Sequence, residues 1–264
     1  MPLLITFDGE WGLAMRLKGT PRFPRNRVLG CIQDNELLYE YGKEVARQCK
    51  EIGVQINFAP VADVDVNPRN PVINTRSFGG DPRNVAQKVV AYARGLEDGG
   101  VLSVCKHFPG HGATTADSHQ GAAYSYRNLE DLRQCEFVPF RSGIEAGSEF
   151  VMLGHIALPT ITGNEIPATL SAQIGAQLLR EELKYDGIVI TDAMNMGAIV
   201  NYYSASDAAI FAVQSGVDMI LMPSDFWTAY QGVLDAVKDG RIQEKQIDTS
   251  VKRILRLKNK INSK

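Results

Sequence analysis

Short apolar runs recur at 3–7, 54–59, 101–106, 150–155, 187–191 and 217–222, with amphipathic helical stretches between them. This alternation constrains the fold more than any other feature, because a strand can reach a parallel neighbour only through a crossover. The pattern therefore predicts parallel βα units. Several helices have legible ends. Over 34–52, Asp34 stands at the cap, Leu38, Tyr41, Val45 and Cys49 recur at helical spacing, and Gly53 stops the run. Over 81–98, Asp81 precedes Pro82, an apolar stripe runs through Val85, Val89, Tyr92 and Leu96, and Gly99-Gly100 ends it. Further helices are predicted near 130–146, 171–184, 226–239 and 248–262. The 171–184 helix opens at Ser171, and the last opens at Asp248 with Val251, Ile254, Leu255 and Leu257 facing inward.

Two architectures suit such a chain, a TIM-type (β/α)8 barrel or an open doubly wound sheet. The strand ends favour the barrel. Asp8, Asp63, Lys106-His107, His155 and Asp192 each stand at or just after the end of a different predicted strand. An open sheet gathers its ligand at one switch point, whereas a barrel brings all strand ends to one face. The six strands counted are two fewer than the eight of a closed barrel.

The densest chemistry lies between Lys106 and His119. Lys106-His107-Phe108-Pro109-Gly110-His111-Gly112, running on to Asp117-Ser118-His119, holds three of the four histidines in the chain. Pro109, Gly110 and Gly112 oppose regular structure, so these groups are expected on a loop at the C-terminal end of strand 101–106. The same residues raise a metal-dependent hydrolase, with His107, His111, Asp117 and His119 around zinc. Against it, His-x-x-x-His ligand pairs normally sit on a helix, which Pro109 and two glycines break. No metal or organic cofactor is expected.

Composition removes other classes. A net charge of -2 from mixed acid and base argues against nucleic-acid or membrane-surface partners. No apolar run approaches the roughly 20 residues that span a bilayer, and the first residues lack the basic flank of a signal peptide, so the compartment stays open. Cys31, Cys49, Cys105 and Cys135 show no metal or dithiol spacing and are read as structural thiols. Neither Gly-x-Gly-x-x-Gly after a strand nor Gly-x-x-x-x-Gly-Lys-Ser/Thr occurs, which weakens nucleotide binding.

The stretch from Lys106 to Gly112 followed by Asp117-Ser118-His119 resembles the signature of glycoside hydrolase family 3, in its β-N-acetylglucosaminidase (β-N-acetylhexosaminidase) branch. Asp8-Gly9-Glu10-Trp11-Gly12 with Arg16 resembles the family's Asp-x-Glu-Gly-Gly segment and following arginine, with Trp11 where a glycine is usual. Phe58-Ala59-Pro60-Val61 with Asp63, and Asn74-Thr75-Arg76-Ser77-Phe78-Gly79, resemble the stretch that comes next. Thr191-Asp192-Ala193-Met194-Asn195-Met196 resembles the nucleophile segment, with Ala193 where a second aspartate is common.

The resemblance implies a retaining exo-glycosidase acting on terminal β-linked N-acetylglucosamine in a small carbohydrate, such as a peptidoglycan or chitin fragment. Such a reaction needs an anionic nucleophile and a proton donor. Asp192 is the expected nucleophile, although an aspartate at a strand end also suits a helix N-cap. The donor position belongs to His119. In an extended segment residues i and i+2 face one way, so Asp117 can hold one ring nitrogen while the other faces substrate. A solvated loop pair is the structural alternative. Asp8, Arg16, Arg76, Lys106 and His107 are the positions the resemblance assigns to sugar hydroxyls; Arg16 and Arg76 equally suit ion pairs with Asp8 or Asp63. His111 is read as holding the Pro-Gly loop and His155 as a core histidine. A β-glucosidase or another exo-glycosidase of the family is the near alternative, and a non-catalytic carbohydrate-binding module the distant one. Because two βα units precede the matching segment in the family, the expectation is a single barrel domain over 1–264 lacking its first two units. Its exposed barrel edges would favour self-association.

Overall fold

Strands and helices alternate along the chain as the apolar runs predict. The computed structural model describes residues 3–262. Among them are β1 (Thr6–Phe7), β2 (Ile56–Asn57), β3 (Leu102–Phe108), β4 (Ala123–Tyr124), β5 (Phe150–Leu153), β6 (Ile156–Ala157) and β7 (Ile188–Thr191). Five of these form one sheet in the order β1-β2-β3-β5-β7, and β4 pairs with β6. The chain divides into two compact units, Met1–Ala113 with Asn128–Val151, and Thr114–Arg127 with Met152–Lys264. No helix of the described residues is long and apolar enough to cross a membrane.

In the first unit β1, β2 and β3 run parallel, with Phe7 opposite Asn57 and Asn57 opposite Ser103. β1 and β2 are shorter than the apolar runs that contain them. The Gln55 side chain accepts the Ile5 N–H at 2.8 Å, taking a position that a ladder carbonyl would otherwise fill. The helices Asn35–Glu51 and Pro82–Asp98 begin where their caps predict, Asp34 accepting from the Glu36 N–H and Asp81 from the Arg83 N–H. Their packing turns on two glycines. A Cβ on Gly95 would stand 2.2 Å from the Tyr39 carbonyl oxygen and 2.8 Å from the Gly42 Cα, so only glycine lets the two backbones approach this closely. Near 130–146 the single predicted helix is two, Leu129–Gln134 and Phe137–Glu145. Pro139 explains the break, since proline is tolerated in a helix's first turn and not in its interior. Phe108 anchors the second helix, stacking on Phe137 at 5.3 Å and meeting Phe140 edge-on at 5.2 Å. Trp11 also lies in this unit, with the Arg25 guanidinium 4.9 Å from its ring centre.

In the second unit β4 and β6 pair in parallel, Ala123 opposite Ile156. The Asp192 N–H donates to the Leu153 carbonyl at 2.9 Å, joining the ends of β5 and β7. The predicted strand at 217–222 reduces to a parallel bridge between Ile190 and Met219. Backbone bonds hold the bridge, Met219 N–H to the Val189 carbonyl and Thr191 N–H to the Met219 carbonyl, both at 3.1 Å, and side chains take the N–H groups beside it: the Asp218 carboxylate accepts the Val189 N–H at 2.9 Å, and the Thr191 hydroxyl accepts the Leu221 N–H at 2.8 Å. The C-terminal helix, Glu244–Asn262, opens four residues before Asp248. Leu257 is buried and Ile254 half-buried, but Val251 and Leu255 face solvent. Polar groups take part of the inward face instead, with Ser250 donating to Asp218 at 2.7 Å and Arg253 pairing with Asp186 and Asp218. The helix Phe226–Lys238, capped by Asp225, presents Phe226, Trp227 and Tyr230 to solvent, 60%, 73% and 55% exposed.

Candidate active site

β1 delivers Asp8 and Glu10, and the Asn57 amide at the end of β2 holds the intervening Gly9. Its Oδ1 accepts the Gly9 N–H at 3.0 Å while its Nδ2 donates to the Gly9 carbonyl at 3.1 Å. Lys106 and His107 lie within β3 rather than on the following loop, since β3 runs on to Phe108. The loop does begin at Pro109. At Gly112 a Cβ would sit 1.7 Å from the Val64 carbonyl oxygen, so the backbone passes where no side chain fits. The Lys106–His107 peptide is cis, as are Ala59–Pro60 and Phe108–Pro109.

The first unit thus gathers all five residues assigned to sugar binding. Lys106 Nζ lies 2.7 Å from Asp8 Oδ1 and 2.9 Å from Glu10 Oε1. Arg76 grips Glu10 with both Nε and Nη2, the latter at 2.6 Å, and Arg16 pairs with Asp8. Arg76 therefore finds its ion pair in Glu10, not in Asp8 or Asp63. Asp63, fully buried, instead accepts from His107 Nδ1 at 2.7 Å and from the His111 N–H at 2.6 Å. Arg76 Nη2 also lies 3.3 Å from His107 Nε2. One tautomer satisfies both contacts of His107, with the proton on Nδ1 and Nε2 accepting from Arg76. His111 is buried, as expected of a residue holding the loop, and its carbonyl accepts from Asn70 Nδ2 at 2.8 Å.

Burial alone would raise the Asp8 and Glu10 carboxyls. The neighbouring Lys106, with Arg16 at Asp8 and Arg76 at Glu10, outweighs it and holds both below the ordinary carboxylate range. Burial would likewise lower Lys106, but Glu10 and Asp8 raise it above its usual value. Burial dominates at His111, pushing its imidazole down to about 4. Asp8, Glu10, Arg76 and Lys106 are therefore charged at neutral pH and His111 is neutral, with Asp8 and Arg16 the most exposed members of the cluster. Glu10 was not singled out from sequence. The signal was its spacing, since a residue two beyond Asp8 on an extended segment faces the same way.

The second unit holds Asp117, His119 and Asp192. His119 Nδ1 lies 2.7 Å from Asp117 Oδ1, and the same oxygen accepts the His119 backbone N–H at 2.9 Å. The pair forms across a turn and not along an extended segment as predicted, because an aspartate readily accepts from the backbone two residues on. The Gly197 and Ala198 N–H groups donate to the His119 and Ser118 carbonyls, both at 3.1 Å, tying this turn to the chain that follows Asp192. Asp192 is half-buried just past β7, and its Oδ1 accepts the Ala193 N–H at 2.8 Å. His155 is buried as expected. It also bridges Thr169, 2.7 Å from Nδ1, to the Ala193 carbonyl, 2.9 Å from Nε2. A carbonyl can only accept, so Nε2 carries the proton. Among the described residues no three His, Cys, Asp or Glu side chains are grouped so as to hold a metal ion.

A protein similar to this one is Beta-hexosaminidase LpqI of Mycobacterium tuberculosis, 36% identical over 98% of this chain and 68% of its own length. Beta-hexosaminidase A of Pseudoalteromonas piscicida is 33% identical over 99% of this chain and 48% of its own length. Among solved structures, a glycoside hydrolase family 3 beta-N-acetylglucosaminidase from Paenibacillus sp. FPU-7 superposes with a TM-score of 0.95 at 41% identity, covering 99% of this chain and 51% of that one. The chain thus spans about half the length of the Pseudoalteromonas piscicida relative and of this solved structure. The profile of the Glycosyl hydrolase family 3 N terminal domain matches residues 1–257, and the chain belongs to that family.

Proposed function

We propose that this chain carries the catalytic residues of a retaining exo-β-N-acetylglucosaminidase, on the turns that follow strands of a (β/α)8 barrel. The observation that carries the reading is the 2.7 Å contact between Asp117 and His119. It leaves one ring nitrogen to face a leaving group while the other is held by a carboxylate, which is what a histidine proton donor requires. His119 is 58% exposed at its side chain, so a leaving oxygen can approach it.

In the proposed reaction the Asp192 carboxylate attacks the anomeric carbon as His119 protonates the departing oxygen, giving a covalent glycosyl-aspartate. His119 then takes a proton from water, which attacks the same carbon and releases the sugar with retained configuration. Asp117 fixes the tautomer throughout. In the first unit, Asp8, Arg16, Arg76, Lys106 and His107 form a charged, partly desolvated array suited to sugar hydroxyls, which offer paired donors and acceptors and little apolar area. Glu10 holds Arg76 and Lys106 in place. The relatives named as beta-hexosaminidases and the similar beta-N-acetylglucosaminidase favour an N-acetylated amino sugar over glucose. Small N-acetylglucosamine-containing carbohydrates, of peptidoglycan or chitin origin, are the proposed substrates.

A 2-deoxy-2-fluoro or 5-fluoro glycosyl inhibitor tests the assignment by slowing the second step until the intermediate accumulates. Mass spectrometry should find the label on the peptide containing Asp192. Label on any other carboxylate removes Asp192 from the role.

A further inference from the structure

In the second unit a pocket of about 250 Å³ opens among Tyr124, Glu165, Ile166, Pro167, Tyr202 and Tyr203. Ala122 and Ala198 complete its wall, and these two small residues connect it to the proposed proton donor. Ala122 follows His119 by three residues, and the Ala198 N–H donates to the Ser118 carbonyl at 3.1 Å. The turn bearing Asp117 and His119 is therefore continuous with the pocket's rim. A group that protonates a leaving oxygen must lie beside the leaving group, so a pocket adjoining that turn is where the departing portion of a substrate can rest.

The lining matches a sugar. Tyr202, 63% exposed, offers an open aromatic face, and Tyr124 is kept in position by stacking on Tyr126 at 6.3 Å. Aromatic faces cover the apolar face of a pyranose ring, while its rim of hydroxyls needs acceptors. Glu165 supplies them. Its Oε2 accepts the Tyr124 hydroxyl at 3.2 Å, and a carboxylate has accepting sites beyond that one. Its negative charge also disfavours an anionic ligand, and the volume suits one ring rather than a longer chain. We propose that this pocket is the subsite for a neutral leaving-group sugar, so that the chain prefers a disaccharide to a glycoside with a small aglycone. This rests on the enzymatic reading above.

Two substrates with unactivated alkoxide leaving groups, whose difference in acidity cancels when a variant is compared with the wild type, separate the subsite from the acid catalysis: N,N′-diacetylchitobiose and methyl β-N-acetylglucosaminide. The quantity read is the ratio of their kcat/KM values. It should favour chitobiose in the wild-type chain and fall about tenfold in Tyr202→Ala, through lost stacking and burial. Glu165→Gln should lower it about fivefold by weakening charge-assisted hydrogen bonds. Both side chains are exposed, so neither change threatens folding. Turnover of both substrates with a ratio that neither variant moves overturns the subsite and leaves the enzyme reading standing. No turnover of either substrate by the wild-type chain overturns both.

Discussion

Replacing Glu10 with glutamine removes one negative charge from the most deeply buried ion cluster of the first unit while keeping the side chain's shape. Glu10 is fully buried, Arg76 Nη2 stands 2.6 Å and Lys106 Nζ 2.9 Å from its Oε1, and only Lys106 has a second carboxylate, that of Asp8. At an effective dielectric of about 20, each contact near 3 Å represents roughly 5 kcal/mol of attraction, against which the desolvation of all three groups is set. Glutamine leaves that desolvation in place and withdraws the compensation. It also turns an N–H toward Arg76 Nε, which now lies 3.0 Å from Oε2. Breaking a buried pair in this way costs about 3–5 kcal/mol. For a chain of this size that corresponds to a fall of about 6–20 °C in Tm. Urea denaturation followed by circular dichroism measures the loss, and 0.5 M salt should change it little because buried pairs are weakly screened. Arg47→Gln is the control. It breaks exposed pairs with Glu44 and Glu51, which water and salt screen, and should cost far less than the loss of Glu10. A Glu10→Gln loss no larger than the control's would refute the view that this carboxylate compensates Arg76 and, together with Asp8, Lys106.

Three further outcomes follow from other parts of the structure. His119→Ala should slow methyl glycosides about a hundredfold more than nitrophenyl glycosides, whose leaving groups need little protonation; equal losses contradict the acid role. Acid should weaken the fold through His111. Between pH 6.5 and about 4 the unfolded histidine binds a proton that the buried one refuses. Stability is therefore complete above pH 6.5 and declines by about 3 kcal/mol as pH falls to 4, with the depressed Asp8, Glu10 and Asp63 adding their losses at lower pH. A urea midpoint that stays flat from pH 7 to 4.5 refutes this. Finally, Gly95→Ala should destabilise the first unit by about 1–3 kcal/mol, because the added Cβ meets the backbone of the neighbouring helix; a change within about 0.5 kcal/mol shows that the helices can part.

Periodicity and caps carried the fold a long way. Asp34 and Asp81 start their helices where expected, and Asp8 and Asp192 stand just past β1 and β7 as the strand ends predict. What escaped was decided by partners distant in sequence. The run at 217–222 looks like any other strand, and nothing local reveals that the Asp218 and Thr191 side chains would take the Val189 and Leu221 N–H groups beside its short bridge. Val251 and Leu255 fit a helical stripe, yet Ser250 and Arg253 claim part of the inward side because Asp186 and Asp218 await them. Lys106, His107 and Arg76 were legible as a group through their resemblance to a family pattern. Glu10 was not, because its role is to be enclosed by residues 66 and 96 positions further along the chain.

The chain's two tryptophans fall one in each compact unit, and their surroundings differ. Trp11 lies half-buried with a guanidinium over its ring, whereas Trp227 stands 73% exposed on a helix end. Nature has thus placed one intrinsic fluorophore in each half of the molecule. Trp227 should emit at the longer wavelength and be quenched readily by iodide, and Trp11 should emit to the blue and resist it. With either indole replaced by phenylalanine, the remaining one reports its own unit alone, so the order in which the halves melt becomes readable without any attached dye.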